Sequence, residues 1–165
     1  LYDIMTNSET DPTLALVIML TLLHGLTHQQ IRNIHLTDID FDNGRVTIPN
    51  SSGFSEYQIV LDDEDFIILY NYLEFRNKLV GPLPNPDYLL VVYHSIIRNK
   101  AIGFNTLSAI IKKVDPSLTT SVIRNTWLKN FIFSIGDIRL TAAASGYSPK
   151  YLARRVSLLG LNLEL

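Results

Sequence analysis

Hydrophobic positions in this 165-residue chain change their spacing several times, and the changes divide it into elements. Asp11-Pro12 opens the first strong one, with an aspartate to take up free amide groups and a proline suited to a first helical turn. The run from Leu14 to Leu23 is apolar on every side, which predicts a buried helix, and Gly25 ends it. A short helix is expected over Gln29 to Ile34. Asp38 to Phe41, the turn Asp42-Asn43-Gly44 and Arg45 to Pro49 predict a β-hairpin, because Asn-Gly accepts the turn backbone that matches strand twist. Glu56 to Leu61 alternates and predicts a third strand. Asp62, Asp63, Glu64 and Asp65 then load the start of a helix running to about Lys78, where acids favour the helix dipole.

Residues 81–87, GPLPNPD, read as a rigid loop, and Tyr88 to Tyr93 as a strand or a buried segment. Asn105 is expected to cap a helix through Lys113. Asp115-Pro116 is a start signal for the helix holding Arg124 and Trp127, which Gly136 closes. A short helix over Asp137 to Ser145 and a last one from Pro149 follow. The order predicts a mostly α fold with a small three-stranded antiparallel β-sheet, built as one domain over residues 1–165. The chain opens on Leu1 rather than Met, so it is expected to be the C-terminal part of a longer chain.

Composition narrows the chemistry. With 47% hydrophobic and 18% charged residues the chain is of the globular class, not the disordered one. It has no cysteine, which removes disulfides, cysteine–zinc sites and thiol chemistry and suits a cytoplasmic setting. Its longest apolar run is too short to span a bilayer, so no membrane partner is expected. The four histidines lack ligand spacing: His24 and His28 are four apart, but Gly25 falls between them. No metal and no other cofactor is therefore expected, and His24 and His35 read as hydrogen-bonded packing residues. The net charge of −2 hides an asymmetry. Residues 1–97 carry 4 Lys/Arg and 13 Asp/Glu, a net of −9, and residues 98–165 carry 10 and 3, a net of +7. A basic half can attract a polyanion, or can simply be a solvated face.

Three segments carry a resemblance. Residues 14–41, LALVIMLTLLHGLTHQQIRNIHLTDIDF, lead from an apolar helix through His24-Gly25-Leu26-Thr27 to Asp38-Ile39-Asp40. Residues 117–127, SLTTSVIRNTW, place Thr119, Ser121, Ile123, Arg124 and Thr126 in a second register, and residues 145–156, SGYSPKYLARRV, form a third. In this order, with the hairpin between the first two, they resemble the boxes of the tyrosine recombinase (phage integrase) family over nearly the whole chain. The fold implied is that family's catalytic domain.

The chemistry the resemblance implies needs two arginines on the scissile phosphate, a hairpin lysine as general acid, a histidine, a second histidine or tryptophan, and a tyrosine nucleophile. Carried over position by position, the first arginine falls on Thr27, the histidine on Ser121, the second histidine or tryptophan on Tyr147 and the tyrosine on Val156. The lysine would lie near Ser51 to Ser55, and no lysine occurs between Thr27 and Tyr70. Only the second arginine, Arg124, is kept. Tyr151 lies five positions early, roughly 140° round a helix from the required face. With five of six roles gone, the resemblance implies a chain that is not an enzyme.

What remains is a scaffold shaped to clamp double-stranded DNA. The favoured expectation is a non-catalytic DNA-binding transcriptional regulator, similar to the integrase-like master repressors of SPbeta-type temperate phages, which silence a prophage from operator sites and so control lysogeny. The family's DNA-facing places fall on His28, Gln29 and Arg32; on Arg98, Lys100, Asn105, Ser108 and Lys112; and on Arg124, Lys150, Arg154 and Arg155. Gln29 suits adenine and Arg32 phosphate or guanine; Asn105 and Ser108 fall on the helix that in the family approaches the major groove; and Arg124, Lys150, Arg154 and Arg155 suit phosphate. Arg124 suits a structural hydrogen-bond hub equally well. Lys112 and Lys113 are adjacent on a helix, so only one can face a given partner. Trp127 with Phe131 and Phe133 reads as core. Two other readings stay open: a divergent active recombinase using Tyr151, and a protein-interaction module that no longer binds DNA. Also open are whether a protein or peptide antagonist releases the DNA, and whether Leu158 to Leu165 packs on its own domain or a neighbour.

Overall fold

The computed structural model describes residues 1–49 and 55–158, without the side chains of Arg155 and Leu158. Helices α1 (Tyr2–Thr6), α2 (Pro12–Leu22) and α3 (His28–Arg32) precede strands β1 (Ile39–Asp40), β2 (Arg45–Ile48) and β3 (Tyr57–Val60). Then come α4 (Asp63–Val80), α5 (Tyr93–Arg98), α6 (Phe104–Lys112), α7 (Thr120–Ile135), α8 (Ile138–Ser145) and α9 (Pro149–Leu158). The expected architecture, mostly helical with a three-stranded antiparallel sheet in the order β1-β2-β3, is what the chain forms. Register sets Ile39 opposite Val46 and Val46 opposite Ile59, so the sheet turns one apolar face inward. Asp40 shapes the hairpin turn by accepting from the backbone and side-chain nitrogens of Asn43, at 3.0 and 2.7 Å.

Helix α2 is the axis of the core. Asp11 accepts from the amides of Thr13 and Leu14, and every residue from Thr13 to Thr21 is buried. Helices α1, α4, α6 and α7 all pack on it, which is why its sequence is apolar all round. Each of its buried Leu, Val, Ile and Met side chains contributes roughly 1.5–3 kcal/mol. A second, smaller apolar cluster holds Trp127, Leu128, Ile132, Ala142, Tyr147, Leu152 and Val156. Among the described residues no helix is long and apolar enough to cross a membrane.

Several local expectations need correction. Helix α6 begins two residues earlier than expected, with Gly103 rather than Asn105 as its N-cap, so Asn105 sits inside the first turn. Helix α7 starts at Thr120, capped by the Thr119 hydroxyl, while Asp115 accepts from the Ser117 amide at 2.7 Å and closes a separate turn. Helices α1 and α5 fall outside the expected elements. Of the two readings of the segment after the loop, the buried one holds: Leu89, Leu90 and Val91 are buried and Tyr88 makes one bridge, to His35. Their carbonyls are taken by side chains: Arg76 and Tyr72 both donate to the Leu89 oxygen at 3.0 Å. Burial pushes the Tyr72 phenol up to about 12, so it stays a donor at any ordinary pH.

Candidate nucleic-acid interface

The three sequence boxes meet around Arg124, in the second turn of α7. Its side chain is buried, its Nε donates to the Gly25 carbonyl, and its guanidinium lies 4.1 Å from the centre of the Tyr147 ring. Gly25 can serve because it holds φ at +65° and carries no Cβ; an added Cβ would fall 2.1 Å from Trp127. Tyr147 in turn stacks on Tyr151, with ring centres 4.8 Å apart. Tyr151 is exposed, whereas Val156 fills the small second core.

The position that the resemblance gives to the first arginine has a different occupation. Thr27 caps α3: its hydroxyl accepts from the Gln30 amide at 3.2 Å, and the Gln30 side chain accepts from the Thr27 amide at 2.9 Å. Gln30 also donates to the Tyr57 hydroxyl at 3.3 Å. Tyr57 was not singled out in the sequence, where it reads as an ordinary strand position. Burial raises its phenol pKa, and the charge of Arg124 works against that rise. It also packs against Gly146, where an added Cβ would lie 2.7 Å from its ring. Ser121 is exposed in the first turn of α7. Residues 50–54, which include most of the segment assigned to the hairpin lysine, lie outside the described residues.

The candidate DNA contacts separate by exposure. Gln29, Arg98, Lys100, Asn105, Lys112, Lys150 and Arg154 are exposed, and Ser108 and Arg32 are half-buried. The Arg32 Nε donates to the Ile102 carbonyl at 2.5 Å, which joins α3 to the approach of α6. His28 lies inside the fold, sharing a hydrogen bond with Thr120 at 2.9 Å and meeting Phe104 edge-on at 4.5 Å between ring centres. Arg155 falls within α9, its side chain outside the description. Lys113 reaches Asp11 at 3.4 Å, which leaves Lys112 as the member of that pair turned elsewhere. His24 pairs with Asp65 at 2.9 Å and His35 packs on Tyr88, both packing roles.

Burial, and secondarily the charge of Arg32, lowers the His28 pKa from its ordinary 6.5. The folded state then binds fewer protons than the unfolded one below that value. The resulting stability is full above pH 6.5 and is lost as pH falls through the lowered folded value. Urea midpoints should therefore fall between pH 7.5 and 5.0, and His28→Gln should flatten that fall. An unchanged slope in the variant would assign the effect to other groups.

The fold is that of tyrosine recombinase catalytic domains. The structure of XerA recombinase superposes with a TM-score of 0.73 at 17% identity, over 99% of this chain and 58% of that one. XerH recombinase bound to its palindromic difH substrate, in a post-cleavage complex, gives 0.68 at 14% identity, over 96% and 48%. A lambda integrase dimer (residues 75–356) on a COC′ core site gives 0.60 at 14% identity, over 93% and 55%. The chain thus spans about half the length of these proteins. No protein-family model and no curated protein matches the sequence.

Proposed function

We propose that this chain is a non-catalytic domain that binds duplex DNA on a tyrosine recombinase fold and acts in a prophage transcriptional repressor. The observation that carries the reading is the occupation of the family's catalytic places. Thr27 is committed to a helix cap, Val156 to the core, and Ser121 offers a hydroxyl where proton transfer would need an imidazole. Arg124 alone supplies a guanidinium at those places, and it is anchored to Gly25. Several relatives in fold are described as complexes with DNA, and the basic charge of residues 98–165 suits the same partner here. The repressor role follows the pattern of losses described in the sequence.

The test is fluorescence anisotropy on a labelled duplex across salt concentrations, together with a denaturing-gel search for a covalent adduct. Affinity should fall steeply with salt, and Lys150→Ala with Arg154→Ala should lower the slope of log affinity against log salt by about 2. No adduct should form. One observation supports a second reading: Tyr151 is exposed and stacked on Tyr147, the ring that Arg124 lies over. An adduct that Tyr151→Phe abolishes would establish that divergent recombinase instead. Absence of salt-sensitive affinity would leave a protein-interaction module.

A further inference from the structure

A cleft of about 610 Å³ opens between α4 and the chain from Met5 to Pro12, and it shares no residue with the Arg124 site. One wall is a single stripe of α4. Ile67, Ile68, Asn71, Glu74, Phe75 and Lys78 recur every three or four positions and so share one helix face, with Glu64 at its head. From Glu64 to Lys78 the stripe is roughly 21 Å long, which matches about six residues of extended chain.

The lining suits a polypeptide. Met5, Ala15 and Ile68 make a buried apolar floor, while Ile67 stands 62% exposed on the wall. Asn71 lies midway along the stripe, and among the described residues its amide has no hydrogen-bond partner. It can donate to and accept from one peptide unit. The opposite wall adds the hydroxyls of Thr6, Ser8 and Thr10. The two ends differ in charge. Glu64 accepts the Tyr2 hydroxyl, and with Asp62 and Asp3 it raises the phenol pKa of Tyr2, so three carboxylates converge there. Lys78, at the far end, makes no ion pair among the described residues.

We propose that this cleft is a docking groove for an extended peptide segment of about six residues. The segment carries a lysine, arginine or free amino group toward Glu64, an apolar side chain between Ile67 and Phe75, and a carboxylate toward Lys78. The charge at each end fixes its direction, and Asn71 fixes its register.

Random hexapeptides displayed against the immobilised full chain test this, with the enriched sequences then synthesised, labelled and measured by anisotropy. The enriched set should be basic at one end, apolar in the middle and acidic at the other. Asn71→Ala should weaken binding about 5-fold and Ile67→Lys more than that. Lys78→Glu should reverse the preference at its end of the groove. All three positions lie on an exposed helix face, and circular dichroism should show the fold intact. Failure to enrich any sequence, or binding indifferent to Ile67→Lys, would overturn the proposal. A concentration-dependent dimer in sedimentation velocity that Ile67→Lys dissolves would overturn it in favour of a second copy of the chain.

Discussion

Arg76→Met should destabilise the folded chain by about 3–5 kcal/mol, although methionine nearly matches arginine in length. Arg76 is 1% exposed and reaches the loop at 85–89 with all three of its nitrogens. It donates to the carbonyls of Leu89 at 3.0 Å, Pro86 at 2.5 Å and Tyr88 at 2.9 Å, and to the Asn85 side chain at 2.8 Å. Burial lowers its pKa, yet arginine keeps its charge, and the ring of acceptors offsets the loss of water. Methionine would fill the space and leave those acceptors with nothing to accept from. Arg76→Lys should recover only part of the loss, because a point ammonium cannot span the fork of a guanidinium. Urea unfolding of the two variants checks this, and a loss below about 1 kcal/mol for methionine would show that the loop can find water instead.

Gly25→Ala should cost roughly 2–5 kcal/mol, from two sources that can be separated. A residue with a Cβ pays about 1–2 kcal/mol for left-handed backbone. Forcing a methyl against Trp127, with 2.1 Å available, adds about 1–3 kcal/mol of overpacking. Combining it with Trp127→Leu should return part of the packing loss and none of the backbone loss. If the proposed DNA-binding role holds, the anchoring of Arg124 by the Gly25 carbonyl means that the single variant should also bind duplex DNA more weakly at temperatures where it remains folded. Equal affinity of variant and parent would separate Arg124 from the DNA contact.

Most of the fold was legible because its signals are local. Asp11-Pro12 capped α2, the Asn43-Gly44 turn closed the hairpin, Asp62 capped α4, and Gly136 ended α7 in a left-handed conformation. The segment at 88–91 was ambiguous for a physical reason. A buried apolar run reads alike whether a strand or a distant arginine satisfies its backbone, and nothing near Leu89 points to Arg76. The candidate site was legible only in part. The boxes placed Arg124, Thr27 and Tyr147 in one neighbourhood, where the structure brings them. Tyr57 carried no signal, since a tyrosine in a strand is ordinary and its approach to Gln30 and Gly146 depends on tertiary packing. For His28, chain position beside exposed Gln29 could not convey that one ring turns inward to Thr120 and the next side chain outward.

The separation of the apolar cluster around Trp127 from the larger one bears on how such a chain can change over time. Helix α7 belongs to both, with Ile123 in the larger cluster and Trp127, Leu128 and Ile132 in the smaller. Beyond it, α8 and α9 pack on each other, α8 also rests on α7 and on β3, and Gly146 meets the ring of Tyr57. Side-chain volumes in α8 and α9 can therefore be exchanged against one another without repacking α2. A lineage keeping this architecture is free to rewrite the surface carried by α9 while the larger core, and the helix that holds Arg124, stay as they are.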